Sequence, residues 1–534
     1  MAITEEQDTI AGSSADTLVV DAFAGTGKTT TLVEYAKRRP RERMLYVAFN
    51  RSIKEEATTK FPSNVQCVTT HGLAFPTFGR KYKSKLGNPK AYHLSNALGL
   101  DIESAGQVLE TITRFHTSTE SEIDIVHALA AAPKAPANAL SDLVSFARKG
   151  WEMMQDTSIS ALPMPHDGYL KLYQLSQPTI NTQRILFDES QDANPITLDF
   201  ILRQQCNKVF IGDQFQSIYG FRGAVDALTQ IQADERLPLT TSFRFGSGIA
   251  NLATAILRDW RGCSADIKGL GKYETAFTVD RNCPHAVISR TNGGLFAEAV
   301  MLLQTNKPFG FVGGVEGYRF NQILETYYLY ANQRGNIRDP FIKSFQDFTQ
   351  MRSYGETLED MEVKSLCKVV EEYSHDIPRL IDQIKTKAQP ALVGREVALS
   401  TTHKAKGLEW KNVVLTDDFT DLEITQDNKG REVRPDNEEI HILYVAITRA
   451  MKGLIVPPSV YDWAFRTGQS ELLSGAALSK SEQTIATQKN NELVSWQKSM
   501  DEYFTSMRDG YSSYPEKLAE VATFLEQQAL KFRS

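Results

Sequence analysis

Short apolar runs alternate along the first half of the chain with longer stretches in which apolar residues recur at helical spacing. Each run is bounded by polar or glycine-rich residues and has the length of a strand buried on both faces of a sheet. Strands that alternate with helices predict an α/β fold with a doubly wound parallel sheet, whose ligands gather at the carboxyl ends of the strands. The predicted strands of this part are residues 18–20, 44–49, 65–69, 185–187 and 208–211.

Two stretches lose the strand pattern and keep the helical one, and they interrupt two sets of strands. Residues 76–183 are rich in Ala, Leu, Ser and charged residues, and 310–393 has apolar residues at helical spacing. The second set of strands includes 286–289 and 397–400. We therefore predict two cores, each with a mainly helical insertion, and a helical C-terminal extension. The predicted bounds are 1–75 and 184–236 for the first core, 76–183 for its insertion, 237–309 and 394–457 for the second core, 310–393 for its insertion and 458–534 for the extension.

The composition narrows the class of protein without pointing to a ligand. A chain of 534 residues is too long for one hydrophobic core, and 41% apolar with 23% charged residues is typical of an ordinary globular protein. Five dispersed cysteines without a C-x-x-C pair argue against zinc ribbons, iron–sulfur clusters and a disulfide framework, and they fit a reducing cytosol. The N-terminus has no secretory signal, and no apolar run is long enough to span a membrane. A net charge of −6 leaves nucleic-acid binding open, because binding depends on a local basic groove.

The stretch 17–30, T-L-V-V-D-A-F-A-G-T-G-K-T-T, has the strand–loop–helix order of a phosphate-binding loop. Its glycines let several N–H groups point inward, and the positive end of the following helix adds to the attraction for phosphate. We expect Lys28 on the β- and γ-phosphates and Thr29 on Mg²⁺. Ala22 departs from the first glycine of G-x-x-x-x-G-K-[ST], but the loop matches the variant A-x-A-G-[ST]-G-K-T, and an ordinary glycine turn leaves the placed Lys and Thr unexplained. The predicted nucleotide-binding residues of the loop are Ala24, Gly25, Thr26, Gly27, Lys28, Thr29 and Thr30.

Two carboxylates follow directly after the predicted strand 185–187. Asp188 is suited to hold Mg²⁺ through water, and Glu189 is suited to polarise the attacking water as a general base. After the next strand, Gln216 is placed to sense the γ-phosphate. Tyr219 and Phe221 lie on the same glycine-flanked stretch, where aromatic residues are either core anchors or platforms on which bases stack.

Other polar residues at predicted strand ends are weaker candidates. Asn50 and Arg51 follow the second strand, and Thr70 and His71 follow the third, where they can donate to backbone phosphates. A histidine satisfied within its loop is an equally good interpretation of His71. The densest basic stretch is best interpreted as a solvated loop face; it contains Arg80, Lys81, Tyr82, Lys83, Lys85 and Lys90.

The full set of motifs closely resembles the UvrD/Rep family of superfamily 1 DNA helicases. A-F-A-G-T-G-K-T, D-E-S-Q-D and G-D-x-x-Q-S-I-Y-x-F-R-G-A occur in that family's order and spacing. Residues 240–244, 401–410 and 437–450 resemble its fourth, fifth and sixth motifs. The stretches 311–315 and H-K-A-K-G-L-E-W are most similar to the F-box DNA helicase branch; no F-box is evident, and the chain begins almost at the motor, as in compact bacterial or phage relatives. The resemblance implies two RecA-like parallel-sheet motor cores of the P-loop NTPase type.

The resemblance also implies a role for each matched residue. For the nucleotide these are adenine recognition by Gln7, ring stacking by Phe243, phosphate and Mg²⁺ binding by Lys28 and Thr29, metal assistance by Asp188, water activation by Glu189, γ-phosphate coupling by Gln216, arginine fingers at Arg244 and Arg449, and a contact to the ribose hydroxyl by Glu409. The implied DNA-binding residues are Asn50, Arg51, Thr70, His71, Tyr219, Phe221, Arg222, Thr402 and His403. Two positions depart from the family pattern: Ser190 replaces a common Ala, and Phe243 replaces Tyr, which keeps the stacking face but removes a hydroxyl.

The function implied is an ATP- and Mg²⁺-dependent helicase or translocase that moves 3′ to 5′ on single-stranded DNA, in repair, recombination or replication. Its expected partners are single strands, single–double-strand junctions and a nuclease or recombination protein, away from membranes, in the cytoplasm or at the nucleoid. One alternative is a translocase that strips bound proteins and unwinds poorly. Another is an ATPase subunit of a nuclease or defence complex that only switches on nucleotide binding. A pure switch is expected to have lost Glu189, Arg244 or Arg449, and all three are present.

Overall fold

The structure, a computed structural model, describes residues 3–133, 135–218, 228, 231–357, 360–389, 397–426 and 430–474. These residues belong to one compact unit, Met1–Gly475. Within them the chain is an α/β protein with two parallel sheets, which confirms the predicted class. None of the described helices has both the length and the apolar character needed to cross a lipid bilayer.

The first sheet contains the strands predicted in the first part of the chain and one more. In chain order they are β1 (Thr17–Ala22), β2 (Met44–Ala48), β3 (Val65–Thr69), β4 (Arg184–Phe187), β5 (Asn207–Gly212) and β6 (Glu235–Leu239). They lie in the order β3-β2-β4-β5-β1-β6, and every neighbouring pair is parallel. The carboxyl ends of all six strands therefore meet at one edge, where ligands bind in open α/β sheets.

Helices cover both faces of this sheet. Those before β6 are α1 (Glu5–Gly12), α2 (Lys28–Lys37), α3 (Arg51–Lys60), α4 (Thr70–Ala74), α5 (Ala91–Leu98), α6 (Ile102–Thr117), α7 (Ile125–Ala131), α8 (Ala137–Gln155), α9 (His166–Leu175) and α10 (Pro195–Leu202). Because successive strand residues point to opposite faces, Leu18 and Val20 share a buried core with α1, α2 and α3. Val19 points the other way, into a core that contains Phe115 of α6 and Leu143 of α8. The helical stretch after α4 therefore packs directly on the sheet.

The second sheet is built from strands of the later part of the chain. The strands after β6 are β7 (Thr241–Ser242), β8 (Lys268–Gly269), β9 (Ala286–Ser289), β10 (Phe309–Phe311), β11 (Val397–Thr401), β12 (Trp410–Leu415), β13 (Thr425–Gln426), β14 (Glu432–Val433) and β15 (Ala450–Ile455). The sheet has the order β10-β11-β9-β12-β15 with parallel neighbours. β7 pairs with β8, and β13 with β14, in two small separate sheets.

The second sheet also has its own helices and its own core. The helices are α11 (Ser247–Arg261), α12 (Asn292–Gln304), α13 (Phe320–Tyr330), α14 (Pro340–Ser344), α15 (Phe348–Thr357), α16 (Met361–Tyr373), α17 (Ile377–Lys387), α18 (Thr402–Ala405), α19 (Asn437–Ile447) and α20 (Pro458–Arg466). Val287 of β9 and Leu399 of β11 lie in one buried cluster with residues of α12, α13, α16 and α17. The buried cluster on the second sheet is therefore separate from the two clusters on the faces of the first sheet.

Two predicted boundaries cut through strands and are corrected here. β6 pairs with β1, so a boundary between residues 236 and 237 divides a strand of the first sheet. β10 pairs with β11, so a boundary between 309 and 310 divides a strand of the second sheet. Of the predicted helical extension 458–534, α20 and a short 3-10 helix (Ser470–Leu473) lie within the described residues, and 475–534 lie outside them.

Candidate nucleotide and nucleic-acid site

The loop between β1 and α2 has the backbone of a phosphate cradle. Gly25 and Gly27 adopt left-handed conformations, with φ of 74° and 78°, which residues with a Cβ rarely take. A Cβ at Gly25 would lie 2.6 Å from the Cβ of Arg244, and the Gly25 carbonyl accepts from the amide of Phe243 at 2.9 Å. Glycine here therefore gives the bend and also lets the segment that follows β7 lie against the loop.

Charged side chains from three strand ends converge next to this loop. Lys28 Nζ lies 3.2 Å from Glu189 Oε1, and the Thr29 hydroxyl donates to Asp188 Oδ2 at 3.1 Å. Burial lowers the pKa of Lys28, but the carboxylates of Glu189, Asp213 and Asp188 outweigh it, and the pKa is raised. Burial likewise raises the pKa of Glu189, but Lys28 and other cations lower it to about 2. Lys28 is thus a fixed cation, and Glu189 is an ion-paired carboxylate.

Thr29 and Asp188 form a donor set that suits Mg²⁺. This ion takes few protein ligands, prefers oxygen, and completes its octahedral shell with water and substrate phosphates. Asp188 Oδ2 accepts from Thr29 and also from the Tyr46 hydroxyl at 2.7 Å, which fixes the carboxylate. Burial and the neighbouring Glu189 raise the pKa of Asp188, an effect that a bound dication would oppose.

Glu189 is held in an unusual backbone conformation. It has φ 49° and ψ 40° and precedes the 3-10 helix Ser190–Asp192. Such a conformation in a residue other than glycine costs of order 1–3 kcal/mol and is concentrated at functional sites. The Gln191 amide donates to Glu189 Oε2 at 2.7 Å, so a second group orients the carboxylate from the side opposite Lys28.

A buried network joins the phosphate loop to α19 of the second half. The Tyr444 hydroxyl accepts from the amide of Ala24 at 3.0 Å and donates to Asp213 Oδ2 at 2.9 Å. The same Asp213 oxygen accepts from Gln216 Nε2 at 2.7 Å. Asp213 therefore orients Gln216, and Asp213 is connected to the phosphate loop through Tyr444.

The two predicted arginine fingers lie at the same cleft. Arg244 Nε donates to Glu409 Oε2 at 2.7 Å. Arg449 is 1% exposed, and its guanidinium donates to the carbonyls of Val445 and Leu408 and to the Thr448 hydroxyl. Burial and the nearby Arg244 lower its pKa to about 9. Within the described chain Arg449 has no carboxylate in ion-pair contact, so it is a buried cation suited to an incoming anion.

The residues predicted for the adenine and ribose flank the same loop. Gln7 is buried beside Gly27, and its amide donates to the Thr31 hydroxyl at 3.2 Å. Phe243 also lies close to Gly27 and is 38% exposed, so its ring is accessible for stacking. Glu6, which was not among the predicted site residues, accepts from the Thr240 amide at 2.9 Å and links α1 to the segment that carries Phe243.

The predicted DNA-binding residues occupy less uniform positions. Arg51 is exposed at the start of α3 and pairs with Glu55 at 2.7 Å, and Asn50 caps the same helix. Thr70 opens α4, where His71 Nε2 lies 3.0 Å from Asp167 Oδ1. Tyr219, Phe221 and Arg222 lie outside the described residues.

The two candidates on α18 have protein partners. Thr402 is buried, and its hydroxyl donates to the Ser289 carbonyl at 3.4 Å. His403 Nε2 contacts the Ile218 carbonyl at 3.1 Å. The basic stretch predicted as a solvated loop face is not exposed throughout. Lys85 is buried and donates to the carbonyls of Met153 and Asp156.

Four residues with clear roles in this geometry were missed in the sequence. They are Gln191, Asp213, Lys406 and Tyr444. Lys406 forms an ion pair with Asp192, which is 6% exposed and whose pKa burial raises to about 6. All four lie inside stretches that carry the family resemblance, so the signal was present. The partners of Lys406 and Tyr444 could not be predicted, because those contacts join distant parts of the chain.

A glycine-rich loop after a parallel strand, a lysine opening the next helix, and an Asp-Glu pair at another strand end define a P-loop nucleoside triphosphatase. Residues 6–222 match the family described as AAA domain, and residues 324–461 match the UvrD-like helicase C-terminal domain. The chain belongs to the UvrD/Rep-like superfamily 1 DNA helicases, as the sequence motifs predicted.

Curated relatives agree with this assignment. The chain is 32% identical over 482 residues to F-box DNA helicase 1 of Gallus gallus. The matched region is 82% of this chain and 47% of that protein. It is 31% identical over 512 residues to F-box DNA helicase protein 1 of Schizosaccharomyces pombe, covering 86% of this chain and 58% of that protein. The chain therefore spans about half the length of the curated relatives it matches.

Proposed function

We propose that the protein is an ATP-driven motor that moves along single-stranded DNA and unwinds duplexes. The observation that carries the proposal is Arg449, a buried guanidinium without an ion-pair partner in the described chain, in a cleft that also holds Lys28 and Glu189. Phosphoryl transfer needs positive charge on both sides of the γ-phosphate, and an arginine finger contributes ~10³–10⁵ in rate. On this proposal, the two sheets are RecA-like cores, each with a helical insertion.

Two ion pairs hold the groups that ATP would engage. Lys28 pairs with Glu189, and Arg244 pairs with Glu409, so two of the three predicted phosphate-contacting cations lie on carboxylates, and Arg449 is the third. Phosphates that displace these carboxylates would free Glu409 for the ribose and remove a cation from Glu189. Removing Lys28 from Glu189 takes away the cation that contributes most to lowering the pKa of this carboxylate.

Mg²⁺ held by Thr29 and Asp188 would neutralise charge that develops on the phosphates. Gln191 orients Glu189 towards the attacking water, and Asp213 orients Gln216 towards the γ-phosphate side of the loop. Because Arg449 lies on the second half and Lys28 on the first, turnover requires the cleft to close, and this couples hydrolysis to domain motion.

The polynucleotide part of the proposal rests on the family and on the position of the strand ends. Asn50, Arg51, Thr70 and His71 follow β2 and β3 at the edge where parallel sheets bind ligands. Movement 3′ to 5′, a role in repair, recombination or replication, junction binding, a nuclease or recombination partner, and a cytoplasmic or nucleoid location follow from the family resemblance.

The deciding experiment compares ATP turnover with single-stranded DNA, with RNA and without nucleic acid, and pairs it with unwinding of 3′- and 5′-tailed duplexes. We expect stimulation by DNA and unwinding of the 3′-tailed duplex. ATP consumption indifferent to every nucleic acid would overturn the proposal, and unwinding of the 5′-tailed duplex alone would reverse the polarity.

A translocase that strips proteins is the second candidate. The described helices between β10 and β11 are short, none longer than the 13 residues of α16, and this favours a small second insertion. Displacement of a bound protein from a single strand, with little unwinding of a forked duplex under the same conditions, would favour this candidate over the helicase.

A further inference from the structure

Three consecutive backbone carbonyls, those of residues 216–218, are held by side chains of the second half of the molecule. These residues, the clamped segment, begin at the last residue of the 3-10 helix Gln214–Gln216 of the first half. They begin at the predicted γ-phosphate sensor and end at the residue before Tyr219, the first of the predicted base-stacking residues. The contacts are Lys406 Nζ to the Gln216 carbonyl at 2.6 Å, His441 Nδ1 to the Ser217 carbonyl at 3.1 Å and His403 Nε2 to the Ile218 carbonyl at 3.1 Å.

The chemistry of the His441 contacts fixes its protonation. Arg261 Nε lies 3.0 Å from His441 Nε2, and an arginine N–H can only donate. Nε2 must therefore be the unprotonated nitrogen, and Nδ1–H donates to Ser217. Burial lowers the pKa of His441 to about 4, in agreement with a neutral ring. The donor that reaches the clamped segment is thus present throughout the physiological pH range.

Ring packing holds His441 and the clamped segment in register. Phe215, one residue before this segment, lies between the ring of Phe23 at 5.9 Å and the rings of His441 and Tyr444 at 5.9 and 6.3 Å. His441 and Tyr444 are three residues apart on α19, so one face of this helix contacts both the phosphate loop and the clamped segment.

We propose that His441 is a positioning residue that transmits the state of the ATP cleft to the clamped segment, and through it to the strand of nucleic acid. The proposal rests on the proposed ATP-driven function. α19 ends two residues before Arg449, so a movement of this helix that brings the finger to the γ-phosphate also moves Nδ1 of His441. The Ser217 carbonyl is the group through which this movement reaches the clamped segment.

Two variants separate the hydrogen bonds of His441. The amide of asparagine occupies the place of Nδ1, so H441N keeps a donor for Ser217 and loses the acceptor for Arg261. The amide of glutamine reaches the place of Nε2, so H441Q keeps the acceptor and loses the donor. The experiment measures ATP turnover without nucleic acid and with saturating oligothymidine, and amide hydrogen exchange of residues 214–218.

We expect H441Q to keep the basal turnover of the wild type. Its kcat with saturating oligothymidine should be lower by about fivefold or more, which is the effect of losing one hydrogen bond. H441N is expected to keep the stimulation, and exchange of the clamped segment is expected to rise in H441Q alone. Stimulation of H441Q equal to the wild type, or an equal loss in H441N, would overturn the role of His441 while leaving the proposed function intact. A wild type that oligothymidine does not stimulate would instead overturn the proposed function, and the coupling role with it.

Discussion

Lys28 is the cation on which the phosphate loop depends. It opens α2 with its ammonium 3.2 Å from Glu189. We expect K28A to abolish measurable ATP turnover, because Lys28 is the cation that opens the helix whose N-terminus the phosphates would approach. Steady-state release of phosphate measures this.

The matched control for K28A is K37A. Lys37 is exposed at the other end of the same helix, where it pairs with Glu34 at 2.7 Å. K37A should turn over ATP like the wild type, since an exposed ion pair contributes little. Turnover of K28A within a few-fold of K37A would show that the loop does not bind the transferred phosphate.

Arg449 acts on the transition state rather than on the bound nucleotide. Its guanidinium is buried on carbonyls and a hydroxyl, so its removal leaves no buried carboxylate unpaired. We expect R449A to fold, to bind ATP with little change and to lose ~10³ or more in kcat. Single-turnover hydrolysis and equilibrium binding of ATP separate the two effects.

The control for R449A is R258A, at an exposed arginine that pairs with Asp266. A raised KM with an unchanged kcat in R449A would mean that Arg449 binds ground state and transition state equally. In that case Arg449 would not be a finger, and the assignment would pass to Arg244 alone.

At the scale of the element, the phosphate loop and the segment after β7 depend on one glycine. G25A would place a Cβ 2.6 Å from the Cβ of Arg244, in a residue with φ 74°. We expect about 1–2 kcal/mol of backbone strain and, in addition, displacement of Arg244 from the loop. ATP affinity should fall about tenfold or more, which equilibrium titration measures.

A substitution at Gly99 distinguishes the effect of backbone strain from the effect of displacing Arg244. It ends α5 with φ 69° and has open space where a Cβ would lie. G99A should show a similar loss of thermal stability with unchanged ATP affinity. Equal affinities in G25A and G99A would contradict the close approach at Gly25.

The elements themselves were largely predictable, and the contacts that make the site were not. β3 and β9 were placed to the residue because short stretches with β-branched residues end in polar residues there. β10, β12 and β15 were missed, although β9 and β11 of the same sheet were found. The contact of Ala24 with Tyr444 joins residues 420 positions apart, and that of His441 with Ser217 joins residues 224 apart. Neither hydrophobic period nor local motif carries such information, because it arises only when two separately folded sheets meet.

For the whole molecule, the described contacts between the two sheets combine polar groups with ring packing. Lys406 pairs with Asp192 and Tyr444 accepts from the amide of Ala24, while Phe215 of the first half packs against the rings of His441 and Tyr444 of the second. Contacts within a chain that include such polar links permit relative motion of the parts they join. The arrangement is therefore suited to a cleft that opens and closes with the nucleotide.

An acidic protein that binds DNA must do so through local positive charge. Its affinity for DNA is therefore expected to fall as the salt concentration rises. We expect E189Q to bind ATP without turnover, so that its affinity for oligothymidine can be measured without movement along the strand. Each phosphate contact made by a single strand should contribute about −0.7 to the slope of log K against log salt. Fluorescence anisotropy between about 50 and 200 mM salt gives this slope.

Two substitutions, one at each end of α3 and both made in the E189Q background, form a matched pair for this slope. Arg51 lies at the start of the helix, at the carboxyl edge of the first sheet, and pairs with Glu55; Lys60 lies at its end and pairs with Glu56. R51A should make the slope shallower by about 0.7, and K60A should leave it unchanged, because only Arg51 lies at the edge along which a strand would run. A slope that is flat in the parent, or equally reduced by R51A and K60A, would place the path of the nucleic acid away from this edge of the sheet.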